Sequence, residues 1–280
     1  VQGLSSALTW AGALAWISVE TERARRGQVL GTVFGVAVFG FVTGPMVGAL
    51  AHLTSIRTAF AFVGLIAFVL AGVTARRPRP RPEPNVPGGV GRALRDPRFL
   101  GGLWLNTLPA FFFGVLDVLA TLSLDAGGYG VVAIGVVFVI AGLVEVVFNP
   151  VIGRLSDVRG RLLPVRYGLL ASVAVGVALA FTEAPLLVAA LIVAAALSYG
   201  GFYTPGMALI ADRSEAAALA QGMGFGLTNT AWAIGASLGP ALGGGLADWS
   251  TNAVPYLLCS ALCAVTLVAI GRTRRAVVAA

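Results

Sequence analysis

The chain has 280 residues, of which 58% are hydrophobic and 11% charged, with 19 basic and 12 acidic residues and a formal net charge of +7. A mean hydropathy of +0.89 leaves too little polar surface to cover a soluble globule, so composition points to an integral membrane protein. The positive excess does not indicate nucleic-acid binding, because all 19 basic residues are arginines held in short gaps between apolar runs rather than along one polar face.

A helix needs about 20 apolar residues to cross the hydrocarbon core. Nine such runs follow one another, at 1–19, 27–53, 56–75, 98–124, 129–153, 161–182, 184–210, 217–247 and 252–271. The gaps between them alternate in charge. Arg23, Arg25 and Arg26 fill the first, Arg76 to Arg98 supply seven more, Arg154 to Arg166 four, then Arg213, and Arg272, Arg274 and Arg275 in the tail. Only Arg57 falls in the opposite set, so 18 of 19 arginines share one side, expected to be cytoplasmic by the positive-inside rule. A multi-pass protein of the cell membrane is expected, with its lipid bilayer as first partner and its linker and C-terminus in the cytoplasm. The chain opens on Val1, already inside an apolar run and without a signal peptide, which suggests further helices upstream.

Residues 76–97 read RRPRPRPEPNVPGGVGRALRDP, too rich in Pro and Gly for a continuous helix. This linker divides the chain into 1–75, with three spans, and 98–280, with six. A short helical turn near Val90 to Leu94 is expected to lie on the membrane surface.

Between the fifth and sixth spans, Gly153-Arg154-Leu155-Ser156-Asp157-Val158-Arg159-Gly160-Arg161 is read as a tight polar turn. An internal repeat accompanies it. Gly31, Gly40, Gly44, Pro45 and Gly48 in the second span have the spacing of Gly226, Gly235, Gly239, Pro240 and Gly243 in the eighth, 195 residues further on. Glycines on one face let helices approach backbone to backbone, and each proline removes a helical donor. Plain packing and a gating role are both open to this pattern.

Two acids interrupt the apolar runs, where a carboxylate is costly and marks an interior or watery surface. Asp117 shares a helical stripe with Asn106, Phe113 and Thr121; Glu145 shares one with Phe138 and Asn149. Either acid can carry a proton, meet substrate, or serve a structural hydrogen bond. Tyr199, Phe202 and Tyr203 before Thr204 and Pro205, Asn229 with Trp232, and the stripe Gln2, Thr9 and Trp16 suit either an amphipathic ligand or ordinary packing. His52 reads as an interfacial residue, and Cys259 and Cys263 as buried packing. No metal-ligand spacing, nucleophile–base pair or phosphate-cradling loop is present, so no enzyme activity, metal or cofactor is expected.

Gly153, Leu155, Ser156, Asp157, Gly160 and Arg161 match the loop pattern GxLaDrxGrk between the second and third helices of each half in the major facilitator superfamily, which this sequence resembles. Val158 and Leu162 depart from the pattern's basic positions. The glycine–proline repeat resembles the antiporter motif in the fifth helix of the family's drug/proton exporters, with Ala49 replacing a final glycine. The resemblance implies an all-helical transporter fragment whose nine spans correspond to family helices four to twelve, lacking the first three. It implies that Asp157 faces the start of the second span near Gly27, and that Arg161 holds Asp212, as a latch closing the cytoplasmic side; solvation of a turn is the alternative. It further implies proton-coupled export of small lipophilic or drug-like molecules by alternating access. Proton-coupled import of a sugar, organic acid or other metabolite, or a non-transporting receptor or assembly role, are the alternatives.

Overall fold

The computed structural model describes the backbone of residues 2–53, 55–76 and 86–278. Among the described residues every regular element is helical: α1 (Gln2–Glu20), α2 (Arg26–Leu53), α3 (Ile56–Ala75), α4 (Gly89–Ala93), α5 (Pro97–Ala126), α6 (Val131–Arg159), α7 (Leu162–Ala180), α8 (Pro185–Ala216), α9 (Gln221–Trp249) and α10 (Ala253–Val278). A single 3₁₀ turn, Arg23–Arg25, leads into α2. All helices but α4 follow the nine apolar runs of the sequence. Among the described residues six of them, α3, α5, α6, α7, α8 and the Ala253–Arg272 part of α10, are long and apolar enough to cross a membrane.

Local chemistry sets the helix ends. Asp96 caps α5 by accepting from the Arg98 N–H at 2.9 Å, and Pro97 follows at the first helical position, where its missing donor costs nothing. Pro185 starts α8 in the same way. Ser55 caps α3 through the Thr58 N–H at 3.1 Å.

The polar stretch after the fifth span is not a loop over its whole length. Helix α6 runs through it to Arg159, and the chain reverses only at Gly160, whose φ of 86° suits glycine. The reason is that Arg154 to Arg159 contain no helix breaker. Their charges end the apolar run, but the helix itself continues beyond it. Helices α8 and α10 likewise outrun the apolar runs at 184–210 and 252–271, to Ala216 and Val278.

Helices α5, α6, α7, α8 and α10 all contribute to the main core among the described residues, with Phe112, Leu119, Leu169, Ile192 and Phe202 almost wholly buried. Small and polar groups draw these helices together, as expected where apolar surface alone gives no driving force. Gly168 and Gly201 bring α7 and α8 into backbone contact. Ser172 bonds Ser198 at 2.9 Å, and the Trp104 Nε1–H donates to Thr266 Oγ1 at 2.9 Å, tying α5 to α10. Helix α3 differs from the others: Ala59 is its one buried residue, while Phe60, Phe62 and Phe68 are exposed.

Helix α4 lies against protein. Ala93 is fully buried with Phe99, Ile210 and Leu219, and Arg92 Nε donates to the Ala217 carbonyl at 3.1 Å. A five-residue turn presents too little apolar face for a membrane surface, but its alanine fills a gap beside the α8–α9 connection.

Candidate functional site at the arginine-rich face

Helix α2, before the linker, meets α6, after it, at the arginine-rich end of both. Gly27, Gly31 and Gly35 form a stripe one turn apart, and a Cβ on any of them would strike α6 backbone at Gly153, Asn149 or Val146. Gly153 answers from the other side, where a Cβ would strike the backbone of Gly27 and Gln28. The two axes are therefore close enough for side chains near the helix ends to reach the opposing backbone.

Asp157 does so. Its Oδ1 accepts from the Gly27 N–H at 2.9 Å and its Oδ2 from the Gln28 N–H at 2.8 Å. These N–H groups belong to the first turn of α2, which has no intrahelical acceptors for them, and the positive end of the helix dipole favours a carboxylate there. The carboxylate side chain is 4% exposed and also pairs with Arg161, one turn further on.

Arg161 extends the network from α6 to α8. Its Nε and Nη2 both lie 3.2 Å from Asp212 Oδ2, and its Nη2 donates to the Arg23 carbonyl at 3.4 Å. Asp212 also receives Arg26 Nη1 at 3.3 Å and Arg23 Nε at 3.5 Å on its other oxygen. Arg26 is 8% exposed; it reaches Glu215 at 2.5 Å and donates from Nε to the Ser18 carbonyl at 3.2 Å. Two acids from α8 and one from α6 thus hold three arginines, of which Arg23 lies in the 3₁₀ turn before α2 and Arg26 at its first position. Arg26, Arg23 and Glu215 carried no assignment from sequence beyond topology. The adjacency of Arg26 to Gly27 was the available signal.

Beside this cluster, Arg213 turns away from Asp212 and its Nε donates to Asp96 at 2.7 Å. Partial burial raises the Asp96 pKa, but the Arg98 N–H and the Arg213 guanidinium outweigh it and hold the carboxyl below its usual range.

The glycine–proline repeat divides. In α9, Gly235, Gly239 and Gly243 pack on the α5 backbone at Thr107, Phe111 and Val115, and the Pro240 ring lies against Gly114. Gly226 has open space around it, as does Gly40 in α2. Of the two described α2 members, Gly31 joins the helix contact and Gly40 does not; the surroundings of Gly44, Pro45 and Gly48 lie outside the described residues, as do the side chains of Gln2 and His52.

The interior candidates fall into separate places. Glu145 is 6% exposed, and none of the ion pairs among the described residues includes it. Asn149, one turn along, accepts from Thr204 Oγ1 at 3.2 Å, and its Nδ2 has no partner. Tyr203 stacks with Phe34 at 4.3 Å and Trp232 at 5.0 Å between ring centroids, and Trp10 meets Phe34 at 6.4 Å. Tyr199 points into a different cluster with Phe112, Phe113 and Phe202. On α5, Asn106 is buried and donates to the Gly102 carbonyl at 2.8 Å, whereas Asp117 is exposed, so that stripe does not form one site. Phe138 packs at the edge of the main core, Thr9 is exposed, and Trp16 and Asn229 are half-buried. Cys259 and Cys263 are buried free thiols. Among the described residues no group of three or more His, Cys, Asp or Glu gathers at metal-binding distance.

Long apolar helices, six of them able to cross a bilayer by length and composition among the described residues, define a polytopic α-helical membrane protein. The sequence profile of the Major Facilitator Superfamily matches residues 1–184 and again 118–278, and the chain belongs to that superfamily, one of membrane transporters rather than enzymes. No curated protein sequence matches the chain. Among solved structures, the crystal structure of the human organic anion transporter MFSD10 (TETRAN) is similar in fold, with a TM-score of 0.74 and 17% identity over 92% of this chain and 66% of that one. The chain thus spans just under two thirds of that transporter's length.

Proposed function

We propose that this chain forms the larger part of a secondary transporter that works by alternating access, with the Asp157–Arg161–Asp212 network as its cytoplasmic latch. The observation that carries the reading is the seating of Asp157 on the first turn of α2 across the contact between the two parts of the chain. A carboxylate bound to helix-end N–H groups is held firmly only while the helices touch, so the contact has two discrete states rather than a gradual one. In the closed state the arginines of the first gap add their charge to Asp212 and Glu215; separation of α2 from α6 exchanges all of these for water.

In this reading the nine long helices all span the bilayer as helices four to twelve of a twelve-helix protein, and three further helices precede them. The arginine-rich face, with the linker and C-terminus, is cytoplasmic, and the membrane is the plasma membrane. Transport is export of small lipophilic or drug-like molecules driven by proton entry, with Glu145 as the proton carrier. The fold likeness to an organic anion transporter supports small organic molecules as cargo. Glu145 supports proton exchange, because a buried carboxylate without an ion pair stays in place at least cost when protonated.

The test is flux in proteoliposomes containing the full-length protein. An imposed proton gradient should drive dye movement in the wild type, and Glu145→Gln should abolish the gradient dependence. Full proton-driven transport by Glu145→Gln would remove the coupling assignment. Gradient-driven uptake of a metabolite with no dye export would replace export by import.

A further inference from the structure

The end of α8 makes two sets of contacts on two faces. Asp212 and Glu215 face the start of α2, where they hold Arg26 at 3.3 and 2.5 Å. Arg213 and Ala217, one turn apart, face the other way, onto α4 and the start of α5. Arg213 Nε donates to Asp96 at 2.7 Å, and the Ala217 carbonyl accepts from Arg92 Nε at 3.1 Å. A guanidinium suits that place, because the last carbonyls of a helix lack intrahelical donors and carry the negative end of its dipole.

The turn that follows is strained. The Ala218 N–H donates to the Glu215 carbonyl at 3.1 Å and the Leu219 N–H to the Ser214 carbonyl at 2.9 Å, the paired bonds of a Schellman ending. Such an ending needs a left-handed residue, ordinarily glycine, and here Ala218 supplies it with a φ of 49°. Among the described residues no other side-chain-bearing residue has a positive φ. A conformation of that kind persists only where its surroundings hold it. Helix α4 supplies them. The backbone of Gly89 lies so close that a Cβ there would stand 3.0 Å from the Ala218 carbonyl oxygen, and Leu219, 4% exposed, packs with Ala93 and Phe99. Glu215 sits inside this ending and Asp212 just before it, so both acids stand on a helix end that its own sequence holds poorly.

We propose that α4 and Asp96 position the acids of the ion-pair network: docked on the end of α8, they keep Ala218 left-handed and so keep Glu215 and Asp212 in register with Arg26 and Arg161. Withdrawal of α4 lets Ala218 relax, breaks the two Schellman bonds and carries Glu215 away from Arg26. The end of the linker is thus part of the machinery that it connects, and Gly89, Arg92 and Asp96 are positioning residues that touch none of the latch arginines themselves. The effect on closure rests on the latch reading, whereas the placement of the α8 end does not, and the two are measured separately.

Spin labels at Ala24 and Ala216, both exposed, read the end of α8 against the start of α2 in the full-length protein in detergent, and labels at Ala24 and Val158 read closure. Gly89→Val, which crowds the Ala218 carbonyl, and Arg92→Ala should each lower the population at the short Ala24–Ala216 distance, relative to the displaced one, about fivefold. Ala218→Gly, which adopts the left-handed turn without support, should restore that population to within about twofold of wild type in the Gly89→Val background. If α4 only stabilised the fold in general, the added glycine would loosen the turn further instead. An unchanged Ala24–Ala216 distribution in both Gly89→Val and Arg92→Ala would overturn the proposal, as would further broadening by Ala218→Gly. If Gly89→Val does not fold, Arg92→Ala with and without Ala218→Gly decides. A displaced α8 end with unchanged Ala24–Val158 closure would remove the latch and leave the positioning standing, and an unmoved α8 end in a protein that opens with Asp157→Ala would do the opposite.

Discussion

Gly27 and Gly153 lie back to back, so that a Cβ on either would strike the backbone of the other. No side chain separates α2 from α6 at this point, and a methyl group on either glycine must push the helices apart. Gly153→Ala should therefore weaken closure of the arginine-rich end without harming the fold of α6, where alanine is the better helix former. Spin labels at Ala24 and Val158, both exposed, would read the change as a longer and broader distance distribution. An unchanged distribution would mean that the glycine contact does not control the approach.

The arginines around Asp212 should differ in weight. The Arg26 side chain is 9% exposed and holds two acids, whereas the Arg23 side chain is 64% exposed and touches Asp212 at its edge. Leaving a buried charge fully unpaired costs about 3–5 kcal/mol. Removing the buried Arg26 guanidinium costs less, since Asp212 keeps Arg161 and Glu215 is half exposed, but more than the about 0–1 kcal/mol of an exposed pair. Thermal unfolding in detergent should thus show a clear loss of stability for Arg26→Ala and almost none for Arg23→Ala. Equal losses would contradict the ranking.

Asp96 supplies a pH signature. Its folded-state pKa is depressed below the ordinary aspartate range, so the unfolded chain binds its proton first as pH falls. The stabilisation it provides is complete above the unfolded value and is lost as pH drops through the lower folded value. The difference in melting temperature between wild type and Asp96→Asn should be constant from pH 7 to about 5 and shrink only below about 4. A difference that disappears between pH 7 and 5 would mean that Asp96 is not held by Arg213 and the Arg98 N–H.

Much of this architecture is written in hydropathy, because apolar runs of bilayer length have few other uses. The pairing of Arg161 with Asp212 and the direction of Asp157 toward Gly27 were legible through the family resemblance alone. Other features had no such signal. The extension of α6 to Arg159 was hidden because charge ends an apolar run without ending a helix. The contact stripe Gly27, Gly31 and Gly35 was masked by a motif that selects Gly40 and Gly44 instead. The docking of α4 depends on a gap at Leu219 and Ile210, which only tertiary packing creates.

The latch depends on Asp157 holding the arginine-rich ends of α2 and α6 together. It is tested most directly by the Ala24–Val158 spin-label distance in the full-length protein carrying Asp157→Ala. Loss of a helix-end carboxylate is worth about 1–2 kcal/mol, so the closed population should fall relative to the open one by about fivefold to thirtyfold, with Asp157→Glu closer to wild type. A closed population unchanged by Asp157→Ala would contradict the latch.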